Sequence, residues 1–435
     1  MSMPNIHDLP PEILGHILKS LHREMMKREG EVDMGLAAVC LTCKRWKDFA
    51  FSTPELWSCI EIIVDLDIKI LPSYAKVSDW LSRSRNQPLS LVIMGERLRQ
   101  SESTTALLQL LIAHSHRWYR LSLCFGPHFG VVELPDNFLA PILESATSES
   151  LRPGFKDNHL FYEKLLRGAP ALRKFTYQGY DWAYFLPNRL HLEPLRSFDL
   201  KRFLSASYAL TILERGVNLQ TCSLQIAGCN GPPAKPVTSS VGCLSLLVDG
   251  VDGPKEFFRF LDAWSLTNLS IIFSEPRYAY EQNTLFYILS KTHSRLSTLT
   301  ITNVEIPEDK FIDCLMLLSE LATLRIMKPL DVTKPIENQI SNKIMNLLTF
   351  QGGGSPKPLC PLLETITLEL CVGADDGLLS EMVQSRHCSP NVLRKDGVAI
   401  LKELDAVLPR SMHTLDEEGL KKLYEEGLRG SLKLI

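Results

Sequence analysis

The chain has 435 residues, 45% of them hydrophobic and 22% charged, a folded composition with room for two or three domains or one extended array. Its formal net charge of -3 gives no field that would gather nucleic acid or an anionic membrane, so neither is an expected partner and another protein is. The start MSMPNIHDLPPEIL lacks a basic stretch followed by an apolar core, and no later run approaches the roughly 18 apolar residues that span a bilayer. A cytoplasmic or nuclear location follows as the expectation.

Asp8 can cap a first helix that Pro10 and Pro11 open, and Ile13, Leu14, Ile17, Leu18 and Leu21 recur along it with helical spacing. The mixed charges from Arg23 to Asp33 read as a solvated extension and loop. A second helix is expected over about residues 34–51, with Leu36, Val39, Cys43 and Trp46 in one stripe. Two such helices make a meagre core, so this unit is expected to lean on the rest of the chain or on a partner.

Cys40 and Cys43 stand at C-x-x-C spacing. A zinc site would need a second pair or two histidines at matching distance, and His114 and His116 are far along the chain. A redox pair would want a helix start after a strand, whereas here Cys43 falls in a helical stripe and reads as a buried apolar residue. The eleven cysteines, odd in number and scattered, fit reduced thiols, and no metal or other cofactor is expected.

Leu9-Pro10-x-Glu12-Ile13-Leu14, then Thr42-Cys43-Lys44-x-Trp46, then Ser52-Thr53-Pro54-x-Leu56-Trp57 together resemble an F-box over residues 7–60. Thr42 departs from the aliphatic residue usual there, and the link between the helices is longer than common. The resemblance implies a small all-α three-helix module that docks a Skp-type adaptor, and through it the cullin and RING subunits of a ubiquitin ligase. The rest of the chain would select the protein to be ubiquitinated. The adaptor-binding set carried over is Leu9, Pro10, Ile13, Leu14, Ile17, Trp46 and Trp57, the two tryptophans shaping the module's hydrophobic body.

Beyond Trp57 a pattern L-x-x-L-x-L recurs. Its central positions Phe175, Phe198, Cys222, Leu246 and Leu269 stand 23 or 24 residues apart, with Leu299, Leu324 and Ile366 after them and Ile60, Leu91 and Leu121 before. LESATS, around Ala146, reads as a decayed repeat that divides the longest gap. Helical segments lie between, such as NHLFYEKLLRGAP, SASYALTILERG and DGPKEFFRFLDAW, with Gly168 and Gly216 placed to end helices in a left-handed conformation. Strand, turn, helix and return resemble a leucine-rich repeat of the degenerate kind seen in fungal-type F-box proteins. The asparagine or cysteine usual three positions after the last apolar residue is mostly missing, and only Cys371 matches.

The expected architecture is therefore α/β: the F-box at 7–60, an irregular leucine-rich-repeat solenoid at 57–372 with parallel strands inside and helices outside, and a helical cap at 373–435. Strand residues alternate apolar and polar, which predicts one solvent-facing sheet surface. Lys174, Asp199, Lys201, Thr221, Thr300, Arg325 and Glu369 on that surface are the candidate substrate-binding residues, for an unidentified protein substrate. No phosphate-cradling G-x-x-x-x-G-K-[ST], no H-E-x-x-H and no G-x-S-x-G occurs. A non-catalytic receptor is expected, with a scaffold acting outside any ligase as the rival.

Overall fold

The computed structural model describes residues 10–25, 39–64, 70–95, 102–125, 133–150, 159–179, 189–228, 235–250, 252–274, 289, 295–303, 306–328, 340–352, 357–387, 397–409 and 413–435. The fold is mixed α/β with long runs of parallel strands. Two compact units form, Met1–Leu195 with Asp199–Lys201, and Arg196–Phe198 with Arg202–Ile435.

The first unit begins with helix α1 (Pro11–Met25), helical residues 39–42, helix α2 (Lys44–Ser52) and a 3-10 turn (Pro54–Trp57). A continuous helix over 34–51 does not form. Cys43 adopts φ -162 and ψ 167, an extended conformation that breaks the helix and lets α2 set off in its own direction. Trp57 then hands the chain to β1 (Cys59–Val64), which pairs antiparallel with the short β2 (Ile70–Leu71) and parallel with β3 (Leu89–Gly95). Helix α3 (Tyr74–Arg83) makes that crossover, and α4 (Glu102–Ala113) the next, into β4 (Trp118–Phe125). The expected decayed repeat is a strand, β5 (Ser145–Ser150), followed by α5 (His159–Gly168) and β6 (Lys174–Gln178). Ile60, Leu91, Leu121, Ala146 and Phe175 stand in one register row, as their spacing predicts.

Strand β7 (Ser197–Leu204) contributes residues to both units. In the second unit α6 (Ala206–Arg215) leads to β8 (Thr221–Ala227); β9 (Val237–Thr238) pairs apart from the main sheet with β11 (Leu261–Asp262). The main sheet continues through β10 (Cys243–Asp249), α7 (Asp252–Phe260), β12 (Asn268–Phe273), β13 (Thr298–Thr302), α8 (Glu308–Met316), β14 (Thr323–Met327), α9 (Asn342–Leu348) and β15 (Thr365–Glu369). Within this unit its strands pair in parallel throughout. The row runs Cys222, Leu244, Leu269, Leu299, Leu324, Ile366. Leu244 takes the place expected of Leu246; a shift of two residues keeps the face, so periodicity could not separate them.

The expected helical cap is only half helical. After α10 (Leu378–Arg386) the segment VAILKELDAVL supplies β16 (Glu403–Leu408), and after α11 (Thr414–Glu425) comes β17 (Arg429–Leu434), both parallel and in register with β15. Leu404, Ala406 and Leu408 are buried and alternate with half-exposed Glu403, Asp405 and Val407, so a period of two overrode the helical stripe. Gly430 makes the last pairing feasible: its φ is +120, and a Cβ there would lie 1.9 Å from the Leu404 carbonyl oxygen. Gly168 and Gly216 are not left-handed. Their reason is space, because a Cβ would fall 2.5 Å from Phe138 O and 2.2 Å from Leu219 Cδ1.

Successive repeats are stapled by polar side chains that satisfy carbonyls in loops and at the ends of helices and strands. Buried Arg386 donates from Nε to Leu348 O at 2.6 Å, from Nη1 to Cys360 O at 3.0 Å and from Nη2 to Leu359 O at 2.6 Å. Asn303, with φ 58, donates from Nδ2 to Phe273 O at 2.8 Å and to Ser274 O at 3.3 Å. It is the ladder asparagine that counting three places on from the last apolar residue misses. Asp376 reaches across to the start of α11, accepting from the backbone amides of Thr414, Leu415 and Asp416 at 2.9–3.0 Å. Burial pushes its carboxyl up, but these amides and the Thr414 hydroxyl outweigh it and hold the pKa below the usual carboxylate range. That stabilisation is present above the ordinary carboxylate pKa and is lost as pH falls through the depressed one. Asp376→Ala is expected to lower stability to urea unfolding at pH 7 by about 1–3 kcal/mol, and the difference from wild type should shrink in acid.

Candidate docking module and open sheet face

Helix α1 divides its apolar residues between two sides. Leu14 and Leu18 are 1% and 2% exposed, whereas Ile13 and Ile17 are 46% and 38% exposed. Each pair is separated by one helical turn, and the two pairs are offset by one residue, about 100° around the axis. Pro10 is exposed, and its carbonyl accepts the Leu14 amide at 3.0 Å. Leu9 lies outside the described residues.

Leu14 and Leu18 join Trp46, Ala50, Leu56 and Trp57 in one buried cluster, with Val39, Cys40, Cys43, Phe49 and Trp80 packed against it. Leu14, expected to face an adaptor, is thus spent on the module's own core, along with Trp46 and Trp57. Pro10, Ile13 and Ile17 remain at the surface. Trp80 belongs to α3, so the helices do lean on the first repeat, as their small size requires.

Trp57 is the seam. Its Nε1–H donates to Ala50 O at 2.7 Å, and its ring meets Phe51 edge-on at 5.5 Å and Trp80 at 6.3 Å. The Arg83 guanidinium lies 3.8 Å from the Phe51 ring centroid and 4.8 Å from that of Trp57, oriented by Asp79 at 2.9 Å. A cation held over two rings and a carboxylate at once links α2, the 3-10 turn and α3. Arg83 carries no signal in the sequence, where it closes an unremarked helix.

In the cysteine pair beside this seam, Cys40 is disfavoured for metal or redox chemistry. Burial pushes the Cys40 thiol up, against the opposing pull of Arg83 and Lys47, and both chemistries need the thiolate. Burial likewise raises Cys59 to about 11 and Cys314, Cys360 and Cys371 each to about 12. Among the described residues one group has metal-ligand spacing: Asp376, His413 and Asp416, with ligand atoms within 4.8 Å of one another. Its oxygens are already engaged. Asp376 caps α11, while Asp416 accepts from Ser380 N at 2.8 Å and sits 2.9 Å from His413 Nδ1. Amide donors aimed at both carboxylates stabilise the helix start and oppose a cation.

The open face of the second unit forms three rows across the strands. One runs Thr221, Cys243, Asn268, Thr298, Thr323, Thr365, Glu403, Arg429; the next Ser223, Ser245, Ser270, Thr300, Arg325, Thr367, Asp405, Ser431; the third Gln225, Leu247, Ile272, Thr302, Met327, Glu369, Val407, Lys433. Thr300 and Arg325 are immediate neighbours, and Glu369 stands one strand and one row from Arg325. Thr221 is in another row, on β8, with β10, β12 and β13 between it and the strand of Arg325. Thr221 and Arg325 are exposed; Thr300 and Glu369 are half-buried. In β6 and β7, Lys174 and Lys201 are exposed and Asp199 is half-buried.

Residues 6–62 match the family model described as F-box-like, the stretch that contains α1, α2, the 3-10 turn and most of β1. No curated protein matches the chain.

Two outcomes follow from this geometry. Arg83→Ala is expected to cost about 1–2 kcal/mol by urea unfolding, more than Arg85→Ala, and to raise hydrogen exchange in α2. Iodoacetamide at pH 8 should leave Cys314, Cys360 and Cys371 unmodified in the native protein and alkylate them after unfolding, because the raised thiol pKa values leave little thiolate.

Proposed function

We propose that this chain is a substrate-receptor subunit of a Skp-cullin-F-box ubiquitin ligase. The F-box, over 7–60, docks the adaptor through Pro10, Ile13 and Ile17 together with Leu9, while Leu14, Trp46 and Trp57 hold that surface in shape. The array from residue 57 onward is a degenerate leucine-rich-repeat solenoid that presents its open strand face to the protein to be ubiquitinated. Its repeats run through residues 373–435 as well, since β16 and β17 extend the same register. The chain itself performs no bond chemistry; it supplies proximity between a bound protein and a ubiquitin-charged partner enzyme.

The observation that carries this reading is the pair Ile13 and Ile17. A helix that merely capped the array would bury its apolar stripe and present polar residues outward, whereas α1 has a filled core side and a second apolar side in solvent. No described helix is long and apolar enough to cross a membrane, and this reading assigns that side of α1 to the adaptor. The work of an F-box receptor is done in the cytoplasm or nucleus, where the reduced thiols also belong.

Co-purification of the full-length chain with a Skp-type adaptor tests the proposal. Ile13→Asp with Ile17→Asp should abolish binding while changing unfolding stability by no more than about 0.5 kcal/mol. Leu9→Ala with Pro10→Ala should weaken binding too. Leu14→Ala should instead destabilise the module by about 2–5 kcal/mol. A folded wild-type chain that binds no adaptor would sink the ligase reading in favour of a scaffold.

A further inference from the structure

Across the open face of the second unit, row chemistry is uneven. The two rows nearer the strand starts are mostly serine and threonine, short side chains that leave a flat surface. Arg325 stands out from it: exposed, with Thr300 on one side and Thr367 on the other, and Thr323 and Met327 two residues away along its own strand. Among the described residues the Arg325 side chain has no ion-pair or hydrogen-bond partner. The third row is apolar where the others are hydroxylic: Ile272 is exposed, neighbouring Leu247 is half-buried, and Met327 continues the row beyond Thr302.

Taking the open face as the surface that receives the captured protein, we infer that it selects a segment bearing one aspartate or glutamate for Arg325 and an aliphatic side chain for Ile272 and Leu247. The geometry sets the spacing. Ile272 and Arg325 lie two strands and one row apart, so the two anchors are separated by about 10 Å along the array and about 7 Å across it. A guanidinium fork matches a carboxylate in two parallel hydrogen bonds. The surrounding charge favours a monoanion over a phosphate. Glu369 stands one strand and one row away, and Asp405, held by a 2.7 Å bond from Ser431 Oγ, stands two strands away in the same row. One cation among two carboxylates repels a dianion more strongly than a single carboxylate.

A random 16-residue peptide display library panned against the full-length protein tests the assignment. Selected peptides should be enriched in Asp or Glu together with Leu, Ile or Val. Arg325→Ala and Ile272→Asp should each weaken them by about tenfold or more, Arg429→Ala should not, and Arg325→Glu should select basic peptides instead. A library that yields no binder, peptides without carboxylates, binding indifferent to Arg325, or a phosphoserine peptide that binds better than its glutamate counterpart would each overturn it. Adaptor co-purification on the same preparation separates the two readings: peptide selection without adaptor binding defeats the ligase role alone, and adaptor binding without acidic selection defeats this inference alone.

Discussion

The in-register pairing of parallel strands is the constraint on which the rest depends. Once Leu244, Leu269, Leu299, Leu324 and Ile366 occupy one row, the pleat sends the neighbours of each to the opposite face. Every polar residue between them is then placed on a shared open surface. Core and surface are thus two readings of one register. This explains why Asn303, Arg386 and Cys371 matter more than their number suggests. They satisfy backbone carbonyls of other repeats, including Cys371 Sγ to Ile326 O at 3.6 Å, where a uniform asparagine ladder is lacking. A parallel strand pair does not close its own turns, so each crossover needs such a fastening.

The docking module obeys the same logic at smaller scale. Two short helices and a 3-10 turn cannot bury enough surface alone, and the residues that complete their core, Trp57 and Trp80, lie at the boundary with the first repeat. Trp57 therefore has two duties. It finishes the helical cluster and it fixes where β1 begins. Arg83 reinforces this by lying over Phe51 and Trp57 together. A fixed joint would suit the proposed receptor role, in which a captured lysine has to be held within reach of a partner's active site.

Much of this was legible in the sequence, for physical reasons that differ from place to place. Repeat spacing found β5 although Ala146 is a weak apolar residue, because pairing position is set by its neighbours on either side. The same periodicity chose Leu246 over Leu244, since both point to the core. It also mistook VAILKELDAVL for a helix, where a strand and a helix of that length carry overlapping apolar patterns. In α1 the pattern grouped Ile13, Leu14 and Ile17 but could not divide them: Leu14 and Ile13 are equally apolar, and only the packing of Trp46 and Trp57 decides which is buried. The break at Cys43 and the role of Arg83 were hidden for one reason, that each depends on residues brought together by folding.

Hydrogen exchange of the full-length chain with and without a Skp-type adaptor measures the central claim most directly, because it reports where a partner sits. The account predicts slowed exchange in α1 and α2 on adding excess adaptor, with β8 to β17 unchanged. Protection confined to the strand face, or none within residues 10–57, would contradict it.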